Sequence, residues 1–189
     1  MDIRNLLSVA VVASLLVWGQ AFAQTPPTPE GTAVSSYDSN ATSEPVSITI
    51  GANCDAVLVV TGGFNNTTVT SVTLNGNAME TIVSGQNGTN QFGGLYYMDT
   101  ADPNWPGTGT FTVNSTIGAA EQLHVLASCF QDIDTTTAGY RTAVENNGNN
   151  DDPSVSLTGM TASTDTMFLG AIFYENQGAT PTTGTQVIT

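Results

Sequence analysis

The chain has 189 residues and a net charge of −14, set by sixteen acids against two basic residues, with a single histidine and no lysine. Nucleic-acid binding depends on Lys/Arg neutralising phosphates, so this composition excludes nucleic acid as a partner and disfavours anionic lipid surfaces. A phosphate-cradling loop with its lysine and a Lys–Asn isopeptide crosslink are excluded on the same ground.

The N-terminus reads as an export signal over residues 1–23. Arg4 precedes an apolar run from Leu6 to Val17, and Ala21-Phe22-Ala23 supplies a small-x-small cleavage site, so the mature chain is expected to begin at Gln24. The run is about 12 residues, against roughly 20 needed to cross a bilayer, so no membrane span is expected. Secretion to the extracellular space or the cell surface follows. Residues 24–30 form a Pro-rich extended leader, Thr-Pro-Pro-Thr-Pro-Glu after Gln24, and residues 31–189 read as one β-sandwich domain.

From Gly31 onward Thr, Val, Ile and Tyr alternate with small polar residues in short runs punctuated by Gly, Asn, Asp and Pro. The strands this pattern predicts are Ala33–Tyr37, Val46–Ile50, Ala56–Thr61, Val69–Leu74, Glu80–Val83, Phe92–Met98, Gly109–Val113, Glu121–Phe130, Ser154–Leu157 and Met167–Tyr174, with Thr185–Ile188 at the end. Asn75-Gly76 is a hairpin turn, since both residues tolerate positive φ. No segment after the signal carries a capped helical period. Short strands with continuous apolar runs such as Val57–Val60 argue for an all-β, two-sheet antiparallel sandwich of about ten short strands in a single domain. The polar loop Asn146–Asp152 divides the chain without giving either side its own core.

Cys54 and Cys129 are the only cysteines. In an oxidising compartment such a pair reads as a disulfide. Closing a loop of about 75 residues stabilises a fold by about 4 kcal/mol on the chain-entropy account.

Several stretches resemble a recurrent group of bacterial secreted and cell-surface β-sandwich domains, immunoglobulin-like or jelly-roll-like. They are Asp55–Val60, Thr70–Met79, Gly94–Tyr97, Gly107–Val113 and Ala127–Thr136. The resemblance implies a fold and a location and no enzymatic activity. Two features depart from it: the group continues with further strands beyond a segment like Gly184–Gln186, and it lacks the cysteine pair.

The chemistry-bearing residues are sparse. Nucleophile catalysis needs a base, usually histidine, and His124 in Leu123–Leu126 stands on a strand with no Gly-x-Ser-x-Gly motif anywhere. A structural histidine is the expectation, no catalytic residue is assigned, and the usual zinc ligand sets are missing. The acids Asp132 and Asp134 would share a face if extended, and Asp151 and Asp152 end the Asn-rich loop. They suit calcium, which accepts hard oxygens from loops, better than the paired carboxylates of a glycosidase. No other cofactor is expected. Trp105, in the proline-bracketed Asp102–Gly107 loop, is either a plug over the end of the sandwich or a sugar-binding platform. The N-x-[ST] triplets at Asn40, Asn65, Asn66, Asn87 and Asn114 follow from the Asn/Thr-rich composition.

The chain ends in strand-like sequence, and an open sheet edge invites pairing. Gln186, Val187 and Ile188 are therefore expected to pair with a neighbouring subunit by strand addition, building a surface fibre or filament. The expectation is a non-enzymatic, self-associating structural or adhesive protein. The alternatives are a monomeric carbohydrate-binding module that takes an extracellular glycan through its loop aromatics and, behind it, a small hydrolase.

Overall fold

A computed structural model describes residues 27–87 and 91–133. The expected strands Ser154–Leu157, Met167–Tyr174 and Thr185–Ile188, the segment read as an export signal, and the site candidates Asp134, Asp151, Asp152, Gln186, Val187 and Ile188 lie outside the described residues. The described residues form seven strands: β1 (Thr28–Ile50), β2 (Ala56–Phe64), β3 (Val69–Leu74), β4 (Asn77–Ala78), β5 (Glu80–Asn87), β6 (Gln91–Asp99) and β7 (Gly109–Gln131). All pairings are antiparallel, in the order β4-β3-β7-β2-β6-β5, with β1 also paired to β7. Among the described residues there is no helix, and so none long and apolar enough to cross a membrane.

Local sequence accounts for most of these strands. Along the last part of β1, Val46, Ile48 and Ile50 are buried while Ser47 and Thr49 are exposed, the period of two that a strand with one wet face requires. β3 covers the residues its pattern predicts, and Asn75 (φ 52°) and Gly76 (φ 81°) turn it into β4 with positive φ at both central positions. Such a turn twists with the strands it joins, and glycine bears the second positive φ at no steric cost.

Two expected pairs of strands are single strands. Ala33–Tyr37 and Val46–Ile50 belong to one 23-residue β1, which begins at Thr28 inside the segment read as leader. Gly109–Val113 and Glu121–Phe130 belong to one 23-residue β7. β1 and β7 pair along their whole lengths, from Thr28 opposite Gln131 to Ile50 opposite Gly109. The pair is bent. Register shifts fall between Glu30 and Val34, Asp38 and Ala41, and Ala41 and Ser43. Extra residues of this kind kink a strand and sharpen its twist. Ser36 Oγ donates a hydrogen bond to Glu44 Oε1; eight extended residues would hold the two about 26 Å apart. The polar stretch between the two apolar runs is therefore a corner within one strand.

The corner explains why the described strands form one sheet. The first half of β7 pairs with β3 through Val113–Ile117, and the second half with β2 through Leu123–Phe130. β1 and β7 run through both halves, so the hydrogen bonding is continuous and the sheet coils into a nearly closed, barrel-like form.

Its concave face holds the main core. Val46, Ile48 and Ile50 from β1, Val72 and Leu74 from β3, and Val113 and Ile117 from β7 meet Val57 and Val59 from β2, Met98 from β6, and Leu123 and Val125 from β7. Inside it lies one buried polar chain: Thr61 Oγ1 donates to the His124 carbonyl at 3.0 Å and stands 2.8 Å from Ser115 Oγ, which can donate to it in turn. Both hydroxyls are fully buried and both are satisfied, as burial demands. On the opposite face of β2, Ala56 and Leu58 join Tyr97 and Phe130 in a second apolar cluster, edged by Ile82, Leu95 and Ile133.

Candidate functional site: the disulfide corner

The described polar chemistry gathers where the two ends of the coil meet. The turn after Ile50 leads through Gly51–Asp55 into β2, and Cys54 on it forms a disulfide with Cys129 on β7, with Cα atoms 5.7 Å apart. Both cysteines are almost wholly buried. Neighbouring backbone bonds fix the same corner. The Asp55 N–H donates to the Phe130 carbonyl at 2.8 Å, and the Thr100 N–H donates to the Asp55 carbonyl at 2.9 Å. Asp55 Oδ2 accepts from the N–H groups of Asp132 (2.6 Å) and Ile133 (3.3 Å). Asp132 takes a positive φ of 62° there, so the Asp55 carboxylate ties down the sharp turn at the end of β7.

Glu30 completes the corner from the other end of β1. Its Oε1 accepts the Asn53 N–H at 3.1 Å, and its Oε2 lies 3.4 Å from Cys129 Sγ. The carboxylate also covers Gly51 so closely that a Cβ there would overlap it. The contact joins the first turn of β1 to the turn that follows its last residue. A straight 23-residue strand would separate those points by about 75 Å. Glu30 is thus a clasp that closes the coil. No sequence signal marks it, since it lies in a Pro-rich stretch and its partners come from a distant turn.

Glu30, Cys54 and Cys129 are also, among the described residues, the one group of three side chains whose potential metal-ligating atoms lie together. The two sulfurs are bonded to each other and are not thiolates, the form that binds metals, so the arrangement serves as a covalent clamp. Asp132, singled out for calcium, uses its backbone N–H in the Asp55 turn.

Trp105 is half-buried and packs against the main core. Its loop is built from two Asx-type turns: Asp99 Oδ1 accepts the N–H groups of Ala101 and Asp102, and Asp102 Oδ1 accepts that of Asn104. The Trp105 N–H then donates to the Asp102 carbonyl at 3.0 Å. The loop thereby lays the indole against the core.

His124 lies opposite Tyr37 in the β1–β7 ladder, and their rings stack with centroids 4.3 Å apart. Burial lowers the imidazole pKa from its ordinary 6.5. A histidine whose folded pKa is depressed contributes stability in full above its unfolded value and loses it as the pH falls below that value toward the folded one. Melting temperature is therefore expected to stay level between pH 8 and about 7 and to decline from about pH 6.5 downward. His124→Phe, which keeps a ring against Tyr37, should flatten the decline between pH 6.5 and 5.5; an unchanged slope in thermal melts would assign it to other groups.

Among the described residues, fold and corner together define an all-β, coiled antiparallel sheet whose ends are clasped by a disulfide and a carboxylate. No family model, curated protein or solved structure matches the chain.

Proposed function

We propose that the protein is a secreted, non-catalytic structural or adhesive domain whose copies join by strand pairing along β1. One observation carries this reading. From Gly31 to Asn40 every residue of β1 is exposed except Val34 and Ser36, which are half-buried. This stretch pairs with β7 on one side and, among the described residues, with no strand on the other. Backbone N–H and C=O groups on such an edge bond to water or to an added strand. Register shifts on either side limit the regular ladder to Val34–Asp38, and Pro29 and Pro45 lie beyond them in the same strand. These features narrow pairing to a five-residue window and protect the rest of the edge. The occupant proposed is an extended strand from a second copy.

Other features support the reading. The second apolar cluster, outside β2 and β6, suits a further layer of the kind a two-sheet sandwich of about ten strands would have. Trp105 laid against the core favours the building block over a carbohydrate-binding module. The disulfide and the acidic, lysine-free composition suit an extracellular setting.

The test is the assembly state of the chain from Gln24 onward, by light scattering after size exclusion and by electron microscopy, with single prolines placed from Val34 to Asp38. Oligomers or fibres are expected. Alternate prolines should abolish them with little change in melting, because on an edge strand every second N–H faces away from the sheet. A protein that stays monomeric at high concentration sinks the proposal.

A further inference from the structure

The clasp residue has a second consequence, which is chemical. A disulfide is reduced when a thiolate attacks one sulfur in line: a bond forms between the incoming sulfur and that atom, the protein S–S bond breaks, and its electron pair leaves on the other sulfur as a thiolate. A second thiol then attacks the mixed disulfide and releases the oxidised reductant, so two electrons pass from two thiols to the protein. Negative charge arrives in the first step and is left behind on the displaced sulfur.

We propose that Glu30 is an electrostatic guard of the Cys54–Cys129 disulfide, slowing its reduction by anionic thiols. The geometry places one carboxylate oxygen 3.4 Å from Cys129 Sγ, and the Asn53 N–H bond to the other oxygen fixes its direction. Gly51 leaves the space in which the carboxylate lies. Among the described residues there is no Lys or Arg to oppose it, and the nearby acids Asp55 and Asp132 carry the same sign. An incoming thiolate therefore meets charge of its own sign at close range, where partial burial weakens screening. The carboxylate also opposes build-up of charge on a displaced Cys129 sulfur, making it a poorer leaving group. Both effects have one direction, toward a disulfide that persists.

The experiment follows release of free thiols from the folded, oxidised protein with two reductants. Glutathione is net anionic; cysteamine carries an ammonium beside its thiolate. Glu30→Gln removes the charge and keeps an acceptor for the Asn53 N–H. It is expected to speed reduction by glutathione roughly tenfold and by cysteamine distinctly less, with the difference shrinking as salt is raised. Glu80→Gln makes the same change in net charge at an exposed position of β5 and should leave both rates near those of the parent. Gly51→Ala supplies a second variant, because its Cβ displaces the carboxylate without removing it, and it should shift the glutathione rate in the same direction. Equal acceleration by both reductants would reduce Glu30 to a structural clasp and overturn the guard, as would no acceleration at all in either variant.

Discussion

Replacing Cys54 and Cys129 together by alanine is expected to lower the free energy of unfolding by about 4 kcal/mol. The bridge spans 75 residues, and most of the cost lies in the unfolded chain, which gains the freedom that the loop denied it. At this chain length the loss corresponds to a fall in melting temperature of about 8–16 °C. Urea titration separates the two contributions. A denatured state released from its crosslink exposes more surface, so the slope against urea should rise as the midpoint falls. Alanine is the suitable replacement because both positions are buried, and a hydroxyl there would add an unsatisfied group. A loss below about 1 kcal/mol would mean that Glu30, Asp55 and the strand ladders hold the corner without the covalent bond.

Leu123→Ala is the second large effect, expected to cost about 2–5 kcal/mol. Leu123 is fully buried on the concave face of β7, just past the corner, packed into the main core beside Val125. Truncation there removes apolar contact and leaves a cavity that a doubly paired strand cannot collapse to fill. Leu126, three residues on, is half-buried and points to the opposite face. Leu126→Ala should cost clearly less, and equal losses for the two in chemical denaturation would contradict this assignment of faces.

The elements that could be read from the chain share one property: their cause is local. Val69–Leu74 matches β3 end to end because alternation over six residues and a following Asn-Gly leave little else for the backbone to do. The edges of β2 and β6 fall within three residues of expectation for the same reason. The disulfide needed no geometry, since two cysteines allow one pairing. The corner in β1 was not legible. Its residues between Asp38 and Ser43 carry the polar and small side chains of any loop, and nothing in them says that the backbone keeps pairing with β7 through two register shifts. Ser36 with Glu44, and Thr61 with Ser115, escaped notice because serine and threonine are everywhere in this chain and only the bend makes these particular ones neighbours.

Sequence alone therefore settled the class, antiparallel β with a covalent clamp, because hydrophobic period, turn chemistry and cysteine number act over a few residues or need no distance. Tertiary structure alone decided that two long strands bend to make one coiled sheet, that Glu30 meets the turn beyond the far end of its own strand, and that Trp105 faces the core. Those outcomes depend on where accumulated twist and inserted residues bring distant segments together, and no short window of residues contains that sum.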